Sequence, residues 1–477
     1  MRLLILNNMA SKLNMNLNPL PSYWNQYVAG ISAIIGAMAM GTVLGFASPA
    51  GLQLTSNSTT LHLQENQIAW FSSIVPIGAV FGGPLAGYLM DKIGRKGTML
   101  TSIIPYMLGW GLIGFAQYFE MLMVGQFFLG MCCGIMSLVV PTYIGEIASP
   151  EIRGRLGSGF QLMVTIGILF SYLVGSYTTW QYLALANAII PCVFFVLMFF
   201  SKESPKHLLS KGRDTEAEET LKYFRGPDYY IQIELDQMTI SIGEAQRNKA
   251  GFSDLIKPHI YRPLVISLGL MFFQQFCGIN AVLFNLGTIF ESTGSGMSAE
   301  LCSITIAVVQ VVATFTASLF MDKLGRRTLL LGSSIFMSLS LAALGFYFFF
   351  MKFSWLPLVA LILFIVAFSL GFGPIPWLMM GELFSEDVKL LAGSIATAVN
   401  WTLSFLVACS FNPLQNKIHN YGVYWLFSGI CGASFIFCLT IVKETKGKSL
   451  EEIADMFGKP SQELPQGKTP KHMIGFA

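Results

Sequence analysis

The stretch FFQQFCGINAVLFN, residues 272–285, sets Gln274, Gln275, Asn280 and Asn285 inside an otherwise apolar run. A carboxamide donates and accepts hydrogen bonds and does not titrate. Several together suit a neutral ligand rich in hydroxyl groups, whose C–H surfaces seek an aromatic face. Other apolar runs carry Gln161, Gln310, and Asn400 beside Trp401. The run GFGPIPW (371–377) crowds Gly371, Gly373, Pro374 and Pro376 ahead of Trp377. Pro and Gly at that density weaken a helix, and neighbours must satisfy its freed backbone. One isolated Gln in a membrane is most simply a bond between helices. The 272–285 cluster with a facing Trp favours a ligand site, and the Gly–Pro run a gating hinge.

The elements that must position these residues follow from composition. The 477 residues are 53% hydrophobic and 12% charged, with mean hydropathy +0.60. Soluble domains carry roughly 25% charge. Apolar runs long enough to cross a bilayer as helices fall at about 27–49, 69–90, 99–118, 121–143, 157–177, 181–200, 263–285, 301–321, 328–350, 355–380, 391–411 and 423–442, here spans 1 to 12. Their length and lack of strict alternation exclude barrel strands. The first 26 residues do not resemble a cleaved signal, because LLIL (3–6) is too short an apolar core. With both termini inside, 27 of the 29 Lys and Arg fall on the cytoplasmic side; only Lys352 and Lys417 lie outside.

None of the twelve runs contains Asp, Glu, Lys, Arg or His. Mid-membrane ionisable groups mark ion pathways. Their absence argues against a proton-driven pump, a voltage sensor, a cation channel and a hydrolase with paired membrane aspartates. No phosphate-binding loop and no His cluster appears, so neither ATP nor a metal is expected, and no cofactor. The eight Cys sit mostly within spans and read as small packing residues. GAVFG (78–82), GPLAG (83–87) and GMCCG (130–134) read as sites of close helix packing.

Three phrases occur twice in the same order. DKIGRK (91–96) returns as DKLGRR (322–327), GEIASPEIRGRLGS (145–158) as GELFSEDVKLLAGS (381–394), and KESPK (202–206) as KETKG (443–447). The displacements are 231, 236 and 241 residues, so the chain is a duplicated six-span unit. Parallel repeats of this kind place a substrate site between the halves. The expected divisions are a cytoplasmic N-terminus 1–26, bundles at 27–200 and 263–442, a linker 201–262 and a tail 443–477. The linker, with GRDTEAEETLKYFRG at 212–226, is either a solvated connection or a set of helices latching the halves.

Together these phrases, with QQFCGIN, GPIPW and NW at 400–401, resemble the sugar porter family of the major facilitator superfamily over about residues 25–457. They are most similar to insect facilitated trehalose transporters and facilitative glucose transporters. The resemblance implies an all-α membrane protein: twelve transmembrane helices in two six-helix pseudo-symmetric bundles, with cytoplasmic helices between them. It implies facilitated transport of a sugar, trehalose or a hexose such as glucose, across the cell membrane. A proton-coupled symporter and a transport-inactive sugar receptor are the alternatives. The implied sugar contacts are Gln161, Gln274, Gln275, Asn280, Gln310, Trp377 and Asn400. The implied gate comprises Phe284 and Asn285, where the family carries paired tyrosines, with Gly373, Pro374 and Pro376. The implied cytoplasmic charge network is Arg95, Glu146, Arg153, Glu203, Arg326, Glu382, Lys389 and Glu444, a latch copied once in each half. Gln126 stands where an Arg is usual, and Ser369 where hexose carriers often have Glu. Span 1 has no acid to pair with such an Arg, which favours uniport. Asn57 heads a sequon in an expected external loop. Partners are a small sugar and the bilayer, with no nucleic acid and no obligate protein partner.

Overall fold

The computed structural model describes residues 21–55, 61–247, 252–284, 286, 289, 298–351, 353, 355–384, 386–446, 448 and 450–458. Every regular element among them is helical. Among the described residues, eleven helices are long and apolar enough to cross a membrane. One of these, Ser73–Gly114, runs 42 residues and doubles back at Gly94 (φ 83°, ψ −179°). It supplies spans 2 and 3, which gives twelve. Spans 11 and 12 share the helix Glu386–Thr440, which turns at His419 (φ 59°).

Small residues set the tightest pairings. A Cβ on Gly82 would lie 2.1 Å from Met131 O, and one on Gly130 the same distance from Val75 O. The 78–82 and 130–134 motifs therefore pack on each other and bring the backbones of spans 2 and 4 together. The motif at 83–87 serves another contact. Gly83 faces Thr397 and Gly87 faces Ser394, both on span 11, so this stripe joins the two halves near the end that carries the basic loops. Toward the other end, Tyr172 of span 5 donates to Leu283 O of span 7 at 3.0 Å. All eight cysteines are free.

The linker is docked rather than solvated. Helices Pro205–Ser210, Asp214–Arg225 and Gln232–Arg247 follow span 6. Leu221 and Phe224 are buried, as the apolar face of an amphipathic helix requires. Gln26 Nε2 donates to Phe224 O at 3.0 Å, while its Oε1 accepts from Ser149 N at 2.7 Å. Arg225 donates to Ile147 O at 2.8 Å and pairs with Glu234 at 2.6 Å. These bonds fasten the linker to the helices of spans 1 and 4, and Gln26 in turn holds the start of the span 5 helix. The helix Gln232–Arg247 also touches the helix Glu386–Thr440 shared by spans 11 and 12, so the linker reaches both halves.

Candidate functional site

Span 7 breaks just beyond its paired glutamines. The helix Pro258–Phe276 ends, Gly278 turns with φ 86°, and a short helix Ile279–Phe284 follows. Phe427 leaves no room for a side chain at 278, since a Cβ there would lie 2.5 Å from its ring. The break folds Asn280 back onto Gln275: Asn280 Nδ2 donates to Gln275 Oε1 at 2.6 Å and to Ser404 Oγ at 2.8 Å. Gln275 Nε2 donates to Asn400 Oδ1 at 3.0 Å, and Asn400 Nδ2 donates to Gln274 Oε1 at 2.8 Å. Gln274 Nε2 reaches Phe372 O and Gly373 O of span 10 at 2.8 and 2.9 Å. Four of the expected polar residues thus form one chain across spans 7, 10 and 11.

Trp377 is half-buried and packs against a small apolar cluster that includes Met271, whose sulfur accepts from Asn400 Nδ2 at 3.2 Å. Gln161 is half-buried on span 5. Gln310 on span 8 is buried, and its Oε1 meets no protein partner among the described residues. No hydrogen bond among the described residues ties either to the cluster. Ser369 is buried with its hydroxyl likewise unmatched. Gly373 and Pro374 lie in the break in span 10 between the helices Leu356–Leu370 and Ile375–Leu383, and Pro376 sits in the first turn of the second. Phe284 closes the short span 7 helix, and its side chain, like Asn285 and Asn57, lies outside the described residues. Sequence reasoning missed Ser404, Met271 and the Phe372 and Gly373 carbonyls. Backbone acceptors freed by a helix break leave no mark in side-chain identity.

At the basic end the duplicated phrases build the same brace twice. Gly94 turns the chain so that the N–H groups of Arg95 and Lys96 both face the Glu203 carboxylate, at 3.0 Å each to Oε1 and Oε2. Arg95 Nη2 pairs with Glu146 Oε1 at 2.7 Å, and Ser204 Oγ donates to the other Glu146 oxygen. In the second half Gly325 (φ 86°) aims the N–H groups of Arg326 and Arg327 at Glu444, at 3.0 Å each. Arg326 pairs with Glu382 at 2.9 Å, and Thr445 Oγ1 donates to Glu382 at 2.6 Å. Burial pushes the Glu444 carboxyl up, but the N–H groups of Lys446, Arg326, Arg327 and Thr445 outweigh it and hold the pKa below its ordinary 4.5.

Each of these pairs joins residues of one half. The expected latch is thus first a brace: it ties the chain after span 6 or span 12 to the turn and span end of its own bundle. Arg153 donates to Ala148 O at 3.4 Å, and Lys389 is half-buried near the start of the span 11 helix. One difference breaks the symmetry. His207 Nδ1 lies 3.2 Å from Arg95 Nη1, whereas Lys448, at the matching place, reaches Met456. The Ser204 and Thr445 hydroxyls were overlooked, although each follows its glutamate in the doubled phrase.

Two pseudo-equivalent six-helix bundles, an uncharged polar cluster between broken helices and a repeated acid–base turn define a multi-pass membrane transporter of the major facilitator fold. The fold is shared with the proton:xylose symporter XylE bound to 6-bromo-6-deoxy-D-glucose, at TM-score 0.80 and 24% identity over 91% of this chain and 99% of that one. An inward-open structure of XylE from E. coli gives 0.73 at 22% identity, covering 90% and 99%. Residues 28–457 match the family model described as sugar (and other) transporter, and the chain belongs to that family. A Bombyx mori protein named facilitated trehalose transporter Tret1 is 40% identical over 438 residues, 90% of this chain and 86% of that protein. An Apis mellifera ligustica protein of the same name is 38% identical, covering 92% and 89%. The Anopheles gambiae relative is 40% identical, and there the chain spans 56% of the relative's length.

Proposed function

We propose that this chain carries a neutral sugar, trehalose or a hexose such as glucose, down its gradient across the cell membrane by alternating access. The observation that carries the reading is the chain of carboxamides from Gln274 through Asn400 to Gln275 and Asn280, in spans without an ionisable residue. Asn280 uses both of its amide hydrogens within the cluster, which leaves its Oδ1 to accept from a sugar hydroxyl. Gln310 Oε1 is a second such acceptor. Gln161, Gln275, Asn400 and the Trp377 face complete the contact set, and Gln274 belongs to the same site. The relatives' names support a trehalose-type substrate.

The halves, 27–200 and 263–442, rock about this site. Phe284 and Asn285 close one mouth while the span 10 break at Gly373, Pro374 and Pro376 bends. Both termini lie in the cytoplasm, on the side of the basic loops, and the loop with Asn57 lies outside. Within each half the brace of Arg95, Glu146 and Glu203, or of Arg326, Glu382 and Glu444, keeps the bundle rigid as it moves. Arg153 and Lys389 stand beside these braces. The test is uptake into proteoliposomes of purified protein against a panel of labelled trehalose, glucose and other sugars. Saturable uptake of one or more, inhibited by unlabelled sugar, supports the reading. Uptake equal to that of empty vesicles across the panel overturns it.

A further inference from the structure

Span 10 breaks where two prolines fall within three residues. Its first helix ends at Leu370, and Gly371 (φ −134°, ψ −81°) turns the chain before the next begins at Ile375. In an unbroken helix the Phe372 carbonyl would accept from the N–H of residue 376. That residue is Pro376, which has none. Phe372 is fully buried, so its carbonyl needs another donor. Gln274 Nε2 provides it at 2.8 Å and reaches the next carbonyl, Gly373 O, at 2.9 Å. The amide orientation is forced, because a flipped Gln274 would set its oxygen against two carbonyls. Both amide hydrogens are then used, and Oε1 accepts from Asn400. Across the break, Ser333 Oγ accepts from the Phe372 N–H at 3.4 Å, and only glycine fits at 371, where a Cβ would lie 2.4 Å from Ser333 Cβ.

We propose that Gln274 is a positioning residue: it stands in for the missing amide of Pro376 and clasps the span 10 break to span 7, so that the two gating spans move as one. It does so from within the sugar site that it shares with Gln275 and Asn280. This rests on the sugar-carrier reading, but the clasp itself is testable without sugar. Gln274→Met removes both donors at similar length, and Pro376→Ala restores the backbone N–H.

The first arm is hydrogen exchange of peptides spanning 371–380 in the full chain in detergent. Loss of one or two hydrogen bonds accelerates local opening about 5- to 10-fold. Gln274→Met produces that acceleration in the native background and little change in the Pro376→Ala background. The second arm is transport. Gln274→Met slows turnover about 5- to 10-fold in the native background and about 2-fold or less in the Pro376→Ala background, a rescue that a residue acting only as a sugar contact would not show. Equal effects of Gln274→Met in both backgrounds, or a loss confined to sugar affinity, overturn the proposal. If Gln274→Met does not fold, recovery of folded protein in the double variant supports the clasp, and failure of both overturns it. If the exchange pattern holds while the native chain carries no sugar, the clasp stands and the substrate reading falls.

Discussion

Gly94→Ala tests the logic of the repeated turn. At φ 83° and ψ −179° the backbone occupies a region nearly closed to residues with a Cβ. Forcing alanine there costs about 1–3 kcal/mol. The new Cβ would also lie 2.3 Å from Glu203 Oε2 and 2.9 Å from His207 Cδ2. The carboxylate must move away from the Arg95 and Lys96 N–H groups, and each charged hydrogen bond lost adds about 1.5–3 kcal/mol. With both bonds lost the total is on the order of 4–9 kcal/mol. For a cooperative unit of about 200 residues that lowers the melting temperature by on the order of 10–30 °C. The assay is thermal unfolding of purified protein in detergent. Gly145→Ala is the control: it lies in span 4 beside Glu146 with open space at its Cβ, so alanine there is neutral or mildly stabilising. Gly325→Ala should behave like Gly94→Ala, because a Cβ at 325 would meet Glu444 Oε2 at 2.7 Å. In the Gly94→Ala/Glu203→Ala double variant the losses should be less than additive, since the clash is gone. A Gly94→Ala melting curve that overlays the native one would refute the reasoning.

Three further outcomes are expected. Gln275→Leu removes the link between Asn280 and Asn400 and should weaken sugar affinity about 3- to 10-fold at normal expression; unchanged affinity would make Gln275 a packing residue. His207 Nδ1 faces Arg95, which only donates, so the ring is neutral there; burial, then Arg95 and Lys211, hold its pKa below the ordinary 6.5 against the opposing pull of Glu203 and Glu146. A depressed folded pKa leaves the brace at full strength above about pH 6.5 and weakens it as pH falls through the folded value. The native melting temperature should therefore drop more than that of His207→Phe in this acidic range, and parallel curves would contradict it. Gln126 is buried in span 4, and neither amide atom has a protein partner among the described residues. Gln126→Leu should leave the melting temperature unchanged or raise it, because an unmatched buried amide costs about 1–3 kcal/mol; a clear loss would show that Gln126 holds a bound partner.

What was legible in the sequence was whatever repeats or has a length. Run lengths marked the spans and the doubled phrases the two bundles, while the charged residues around Arg95 and Arg326 came from family likeness without their pairing. The glycine in each DKxGR phrase was readable as a motif, but its task of turning two N–H groups onto a glutamate needed the fold. The carboxamides of 272–285 were visible as a cluster. Their bonding order was not, because it depends on the break at Gly278 and on carbonyls freed by Pro376. The linker's docking was left open since its anchors, Gln26, Ser149 and Arg225, lie far apart in sequence and are ordinary polar residues one by one. Gln161 and Gln310 were visible as lone carboxamides in their runs and became sugar contacts only through family likeness; no hydrogen bond among the described residues joins them to the cluster.

The central claim is that sugar crosses alone. No acidic or basic side chain lies within the apolar runs, and Gln126, which does not titrate, occupies the place where a proton-relay arginine is expected. A proton carrier needs a group that changes protonation between the two faces of the membrane. The decisive measurement is the ratio of internal to external sugar at long times in proteoliposomes under an imposed inward proton gradient. Uniport predicts a ratio of about one, reached faster or slower as pH changes but never exceeded. A steady ratio well above one that a protonophore collapses would contradict the account and place a titratable carboxylate at a span edge within reach of the site.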